Sequence, residues 1–300
     1  MLDIMLPHYG ELTLLKIAVE SIVAQSDERW RLTVMDDNPA ERDTGIPEYF
    51  AALGHPRVRY ARNPRNLGVT GNFQQGVDLA TAPFMVIMGC DDVMLPRYVE
   101  RVHALIDAHP EAVLVQPGVE VIGADGAVVR TLADTTKRRV YAPRFAGTLT
   151  MAGEELAVSL LRGNWLYFPS LVWRAEEIKA VGFDPDLKVI QDLNLILQLV
   201  TRGGTLVADD DVVFQYRRHG ESLSASSAVA GDRFSEAREF FLGVAARMDT
   251  RGWPRAGRAA RWHLSSRIHA LTMLPAAARQ RSAGGVGVLT RYAFGSPRPR

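Results

Sequence analysis

Along the first hundred residues the apolar positions switch repeatedly between continuous runs and a helical spacing. Residues 2–6 form a short apolar run that predicts a strand. Residues 12–24 set Leu15, Ala18, Val19, Ile22 and Val23 at helical spacing, which predicts a helix. Residues 31–35 repeat the strand pattern and stop at Asp36-Asp37-Asn38-Pro39, a turn composition. A short strand over 58–61 leads into Asn63-Pro64-Arg65-Asn66-Leu67-Gly68, a helix over 71–80 follows, and a buried strand over 84–88 ends at Gly89-Cys90-Asp91-Asp92. Strands separated by helices predict an α/β fold with a parallel sheet and right-handed crossovers. In such sheets ligands bind beyond the carboxyl ends of the strands, where both Asp pairs fall.

The pattern loosens after residue 116. Two hairpin-like strands are expected around Gly123-Ala124-Asp125-Gly126, then a loop to about 147 and a helix over 153–162. A strand over 168–173, helices over 175–181 and 192–202, and a last strand over 212–217 complete this stretch. Beyond residue 232 only helices are expected, over 233–247 and 255–274. The pattern thus divides the chain into a regularly alternating half over 1–115, a less regular half of the same domain over 116–225, and a helical extension over 226–300.

Composition adds bounds. With 47% apolar and 23% charged residues the chain is an ordinary globular one, long enough to bury a large core. The single cysteine, Cys90, excludes an internal disulfide framework and a cysteine-based zinc site. The amino terminus enters a strand pattern without a basic leader or cleavage site, and no run is long enough to span a bilayer, so a cytoplasmic protein is expected, peripheral on the inner face of the plasma membrane if the tail binds lipid. The net charge of +1 conceals an asymmetry. Ten of the 35 basic residues and none of the 34 acidic ones fall in 251–300, which leaves −9 before that segment and +10 within it. Such a split points to an anionic partner.

A diphosphate leaving group concentrates negative charge, and a few carboxylates holding Mg²⁺ or Mn²⁺ neutralise it. Asp91 and Asp92 suit that role, although an isolated Asp-Asp at a strand end is more often a turn or helix cap. The surrounding motifs change this. Leu6-Pro7-His8-Tyr9, Val34-Met35-Asp36-Asp37, Asn66-Leu67-Gly68, Met88-Gly89-Cys90-Asp91-Asp92, Gln191-Asp192-Leu193 and Tyr216-Arg217-Arg218-His219 stand in the order and spacing that resemble the family-2 glycosyltransferases, over roughly residues 2–225. The resemblance implies a GT-A (Rossmann-like) fold, a mostly parallel sheet flanked by helices, here followed by the C-terminal helical extension. It implies an inverting, metal-dependent transfer of a sugar from a nucleotide-diphosphate sugar to an acceptor hydroxyl, in cell-surface polysaccharide or glycolipid synthesis.

Carried onto this sequence, the resemblance makes Asp192 the catalytic base, and Asp91 with His219 the metal ligands for Mn²⁺ or Mg²⁺. Asp36 would accept from the nucleobase, Pro7 and Tyr9 would line its pocket, and Asn66 and Gly68 would shape the adjoining wall. Asp92 would act on the metal through water, on ribose or diphosphate, or as a cap. Arg217 and Arg218 would meet diphosphate oxygens or stand solvated on their strand. Trp165 and Trp173 would stack on sugars or pack in the core. Two positions depart from the family pattern: Gly89 stands where Asp-x-Asp has its first acid, and Gln191 where a Glu is common.

The implied partners are the nucleotide-sugar donor and a sugar or lipid-linked acceptor. In 251–300, Trp253, Trp262, Leu264, Ile268, Leu271 and Met273 interleave with arginines, a pattern that fits an anionic membrane surface or a helical cap with a solvated basic face. No nucleic-acid module is present, so no nucleic acid is expected. A nucleotidyltransferase is disfavoured because Pro7-His8-Tyr9-Gly10-Glu11 is not a basic glycine-rich loop, and an oxidoreductase because Gly-x-Gly-x-x-Gly is missing. A catalytically inactive sugar-nucleotide-binding or scaffold protein has Gly89 and Gln191 in its favour.

Overall fold

The computed structural model describes residues 1–42, 44–130, 135–187, 190–218, 232–279 and 283–295. Its strands are β1 (Leu2–His8), β2 (Trp30–Asp36), β3 (Val58–Arg62), β4 (Phe84–Ile87), β5 (Val93–Met94), β6 (Ala112–Ile122), β7 (Thr148–Ala152), β8 (Val172–Arg174) and β9 (Thr205–Arg217). Its helices are α1 (Leu12–Val23), α2 (Ile46–Leu53), α3 (Gly68–Leu79), α4 (Tyr98–Ala108), α5 (Gly153–Arg162), α6 (Ala175–Val181), α7 (Gln191–Thr201), α8 (Asp232–Thr250), α9 (Pro254–Trp262), α10 (Leu264–Arg279) and α11 (Ala283–Phe294). The chain divides into two compact units, one of residues 1–129, 145–151 and 166–218, the other of residues 130–144, 152–165 and 219–300.

The first unit is built on a nine-stranded sheet in the order β3-β2-β1-β4-β8-β6-β9-β5, with β7 also paired to β9. The strands β3, β2, β1 and β4 are mutually parallel, and β6 and β9 are parallel to each other. β8 and β5 run antiparallel to their neighbours. The expected parallel sheet is therefore a mixed, mostly parallel one. Its central strands bury both faces, with Leu2, Ile4, Met5 and Leu6 of β1 and all four residues of β4 out of solvent. That explains their apolar runs, interrupted in β1 by the buried Asp3.

Several elements differ from the sequence expectation. Residues 168–173 are not one strand: Phe168–Ser170 is a 3₁₀ turn and only Val172–Arg174 pairs. Pro169 lacks the amide a ladder needs. The buried Gln116 side chain accepts from Tyr167 N at 2.9 Å and donates to Ser170 Oγ at 2.7 Å, fixing that turn. The expected hairpin keeps a long β6 but reduces the returning arm to a single Ile122–Val128 bridge. The expected loop to 147 contains a π-helical turn, Lys137–Tyr141. The helix expected over 255–274 breaks at His263, whose φ is +28°.

The second unit packs α5 and α8–α11. Glu154 of α5 accepts from the N–H groups of Arg255 at 2.6 Å and Ala256 at 3.1 Å, capping α9 from outside. This joins two helices through an unsatisfied helix start, where the dipole favours a carboxylate. His263 is buried, stacks on Phe241 with centroids 5.0 Å apart, and holds Ala260 O at 3.0 Å from Nδ1. Among the described residues no helix is long and apolar enough to cross a membrane.

Burial depresses the His263 pKa from 6.5 to about 4. Between those values the unfolded chain binds the extra proton and the folded chain does not, so stability falls as pH drops from 6.5 toward 4. The full shift is worth about 3 kcal/mol. Urea unfolding at pH 7 and pH 4.5 should show the wild type losing more stability on acidification than His263→Phe, which keeps the stack without the titration. Equal losses in the two proteins would remove this role.

Candidate active site

The ends of β1, β2 and β4 lie side by side, with His8 in register with Asp36 and Met5 with Ile87. Asp36 is fully buried at the end of β2. One carboxylate oxygen accepts from Asn38 N at 3.0 Å and Asn38 Nδ2 at 2.7 Å. The other accepts from Tyr60 Oη at 2.6 Å and Arg62 Nε at 3.3 Å. Burial alone would raise its pKa, but the bonds from Tyr60, Asn38 and Arg62 outweigh that and hold it below the usual carboxylate value. The Tyr60 hydroxyl is pushed the other way, to about 12, by burial and by the adjacent Asp36 charge. Asn38 also pairs with both the N–H and C=O of Gly10, tying the loop after β1 to the end of β2.

Asp37 holds the other side. Its carboxylate accepts from Asn63 Nδ2 at 2.8 Å, Leu67 N at 2.8 Å and Gly68 N at 3.0 Å. Asn66 Nδ2 donates to Asp37 O at 2.9 Å, and Asn72 Nδ2 reaches Met35 O at 3.1 Å. Asn66 and Gly68 thus belong to the wall beside Asp37, as the motif order implies. Gly68 has φ +69°, a conformation that costs a residue with a Cβ roughly 1 kcal/mol or more. Pro7 is half-buried in β1 and Tyr9 stands 60% exposed just beyond it, with the Arg42 guanidinium 5.9 Å from its ring. His8 is 3% exposed, and neither ring nitrogen has a partner among the described residues. Burial lowers its pKa, so it stays neutral.

A second cluster forms after β4. Asp92 is fully buried; one oxygen accepts from Arg217 N at 2.8 Å and Oδ2 has no partner among the described residues. Burial, then the neighbouring Asp91 charge, raises its pKa well above the ordinary range. The Arg217 guanidinium, expected on diphosphate oxygens, lies 6% exposed and donates to Asp91 O at 2.7 Å, Gly123 O at 3.0 Å and Ala124 O at 3.2 Å. It fastens the Asp91-Asp92 loop to the turn after β6. Arg218 is half-buried, with its guanidinium 5.8 Å from the Tyr216 ring. Asp91 is half-buried in the turn. At Gly89 a Cβ would meet Asp92 Oδ2 at 2.5 Å and Asp91 Oδ1 at 3.0 Å, so these carboxylates fold over the place of the missing acid. Cys90 packs against the main core, and burial pushes its thiol up to about 12.

Asp192 is not the cap of its helix. Ile190 holds that position, and Asp192 sits half-buried in the first turn of α7, one residue after the buried Gln191. Trp165 and Trp173 are 6% and 0% exposed, which makes both of them core residues. His219 lies outside the described residues. Among the described residues no group of three or more His, Cys, Asp or Glu gathers as a metal cage. The donor set at Asp91 and Asp92, two hard carboxylates with one buried oxygen unpartnered, fits a cation that completes its shell with water and substrate phosphate.

The family model for glycosyl transferase family 2 matches residues 3–158. The chain belongs to this family. Among relatives of the family, the succinoglycan biosynthesis protein ExoO of Rhizobium meliloti is 26% identical over 208 residues, covering 69% of this chain and 58% of that protein. This chain therefore spans less than two thirds of ExoO. The crystal structure of S. aureus TarS 1-349 superposes with a TM-score of 0.62 at 13% identity, covering 98% of this chain and 81% of that chain. The same protein in complex with UDP-GlcNAc gives 0.60 at 14% identity, covering 98% and 92%. These two structures establish a shared GT-A glycosyltransferase fold.

The sequence placed both Asp pairs at strand ends but assigned no role to Asp37, Asn38, Tyr60, Arg62, Asn63 or His8. Asp37→Ala should cost about 2 kcal/mol, because it strands the Leu67 N–H and leaves Gly68 N and Asn63 Nδ2 only their second acceptors, Asn66 Oδ1 and Asn72 Oδ1. Thermal unfolding checks this, and a change under about 0.5 kcal/mol, typical of an inert surface site, would refute it. Gly89→Asp, which restores the acid of the common motif, should lower rather than raise nucleotide affinity, measured by calorimetry, because the new side chain displaces Asp91 and Asp92.

Proposed function

We propose that this protein is an inverting glycosyltransferase that moves a sugar from a UDP-sugar to a hydroxyl of a growing polysaccharide or glycolipid. The observation that carries the reading is the Asp91-Asp92 pair at the end of β4, in a chain of family 2. ExoO is named for succinoglycan biosynthesis, and TarS was solved with UDP-GlcNAc, which supports this donor and acceptor class. Residues 1–115 bind the donor, 116–225 the acceptor, and 226–300 form an appended helical part.

The donor base lies against Pro7, Tyr9, Asn66 and Gly68. A direct bond from the base to Asp36 displaces one of its four donors, and Arg62 at 3.3 Å is the longest of them. Arg218 faces the diphosphate, whereas Arg217 acts as a positioning residue through Asp91 O and Asp92. Asp91 and His219, with Asp92 through water, would hold Mn²⁺ or Mg²⁺. When bound, that ion supplies positive charge against the diphosphate.

Asp192 takes the proton from the acceptor hydroxyl. The α7 N-terminus stabilises its ionised form and weakens it as a base, so the proton moves late, as the new C–O bond forms. The acceptor oxygen attacks the anomeric carbon opposite the nucleotide, the bond to the diphosphate oxygen breaks, and UDP leaves with that electron pair. Alignment and electrostatics supply most of the acceleration.

Nucleotide release from a panel of UDP-sugars, with Mn²⁺ and saccharide acceptors, tests the reading. Asp192→Asn should lower turnover about 10²–10⁴-fold while leaving UDP affinity unchanged. Chelation with EDTA should stop turnover and added Mn²⁺ restore it. If wild type and Asp192→Asn release nucleotide equally, Asp192 is not the base; if neither releases nucleotide with any donor, the alternative favoured by Gly89 and Gln191, a catalytically inactive sugar-nucleotide-binding or scaffold protein, takes its place.

A further inference from the structure

The tail arginines are not equivalent. Arg267 is buried, 8% exposed, with Nη1 on Ala293 O at 3.3 Å. Arg261 is paired with Asp249. Arg251 covers Trp253 at 5.3 Å. These side chains serve the helical unit itself. Arg255 and Arg258 of α9 instead point into a cleft of about 400 Å³ that they share with Arg162 of α5 and with Val158, Ala259, Trp262 and Leu264. Among the described residues none of the three guanidiniums makes an ion pair with a carboxylate. The walls are held in place because Glu154 of α5 caps α9.

The apolar side of this cleft continues along α10. Leu264, Ile268 and Leu271, at positions i, i+4 and i+7, share one helix face and are 59%, 45% and 37% exposed; Trp262 beside them is 57% exposed. An exposed apolar stripe flanked by arginines matches the boundary between lipid headgroups and acyl chains. Its charge complements an anionic leaflet and leaves two positive surfaces to repel, which disfavours a second copy of the chain.

We propose that this face binds an anionic phospholipid membrane, with Arg162, Arg255 and Arg258 receiving headgroup phosphates and Trp262, Leu264, Ile268 and Leu271 entering the interface. The indole sits at headgroup level, as tryptophans do at bilayer surfaces. The three arginines attract phosphate oxygens as positive charges, and the apolar stripe supplies the burial that charge alone lacks. The proposal stands apart from the reading of the active site, since none of these residues belongs to it.

Co-sedimentation of the full chain with vesicles of phosphatidylcholine alone, or containing 30% phosphatidylglycerol, on the order of a physiological anionic fraction, tests it. Wild type should pellet with the anionic vesicles and not with the neutral ones, and should release as salt rises. A basic residue near such a surface is worth about 1 kcal/mol, so Arg255→Glu with Arg258→Glu should weaken binding about thirtyfold or more. Arg255→Lys with Arg258→Lys should retain most of it, and Leu264→Glu with Ile268→Glu should lose it. Circular dichroism confirms that each variant is folded. Equal binding to both vesicle types, or unchanged binding by the charge-reversal variant, overturns the proposal. So does a dimer in sedimentation velocity that the Leu264→Glu/Ile268→Glu variant splits, because that assigns the face to a second copy.

Discussion

The buried carboxylates at the carboxyl end of β2 keep their places only because donors from several elements converge on them, and much of the site follows from that requirement. Asp36 and Asp37 between them collect Asn38, Tyr60, Arg62, Asn63, Leu67 and Gly68, so one turn fixes the loop after β1, the end of β3 and the start of α3. An unpaired buried charge is far more costly than a paired one, which makes this convergence obligatory rather than decorative. The sheet brings the strand ends together, and the carboxylates determine the shape of what lies beyond them.

The two clusters meet the requirement differently. Asp36 is over-supplied with donors and stays ionised, whereas Asp92 has one main-chain donor and an unpartnered oxygen, and burial drives it toward the neutral acid. A buried group so displaced from its ordinary value marks a candidate functional site. The first cluster is therefore a finished wall, and the second is an incomplete one.

Much of this was legible beforehand, and the limits have physical reasons. Strands buried on both faces announce themselves as apolar runs, so β1 and β4 were read within a residue or two, as was β2 from its Leu32, Val34 and Met35, and α5 and α6 to the residue. β5 and β8 have two and three residues, too short for any period, and their antiparallel direction depends on partners distant in sequence. At the site, residue identity gave location but not direction. Arg217 reads like a phosphate-binding arginine until the backbone turns it onto three carbonyls. Asp37 reads as a spare turn residue until Leu67 and Gly68 present their N–H groups to it. Likewise the ten arginines after residue 250 form a single charged block in sequence, yet packing internalises Arg267 and pairs Arg261, leaving a narrower basic face.

Gly89 ties these threads together. In sequence it is an absence, the lost first acid of a metal motif. In three dimensions its lack of a side chain is what lets Asp91 and Asp92 fold back over the loop, while Arg217 holds Asp91 O and the Asp92 carboxylate from the far side. The glycine, the two acids and the arginine form one mechanical unit with two anchors: β5, which pairs antiparallel with β9 just past the loop, and β9 itself, which delivers Arg217. A side chain at position 89 requires the Asp91 and Asp92 carboxylates to shift, because they already occupy the volume a Cβ would take. The departure from the family pattern is thus met by local geometry, within the unit that Arg217 holds together, and leaves Asp192 in α7 outside that unit.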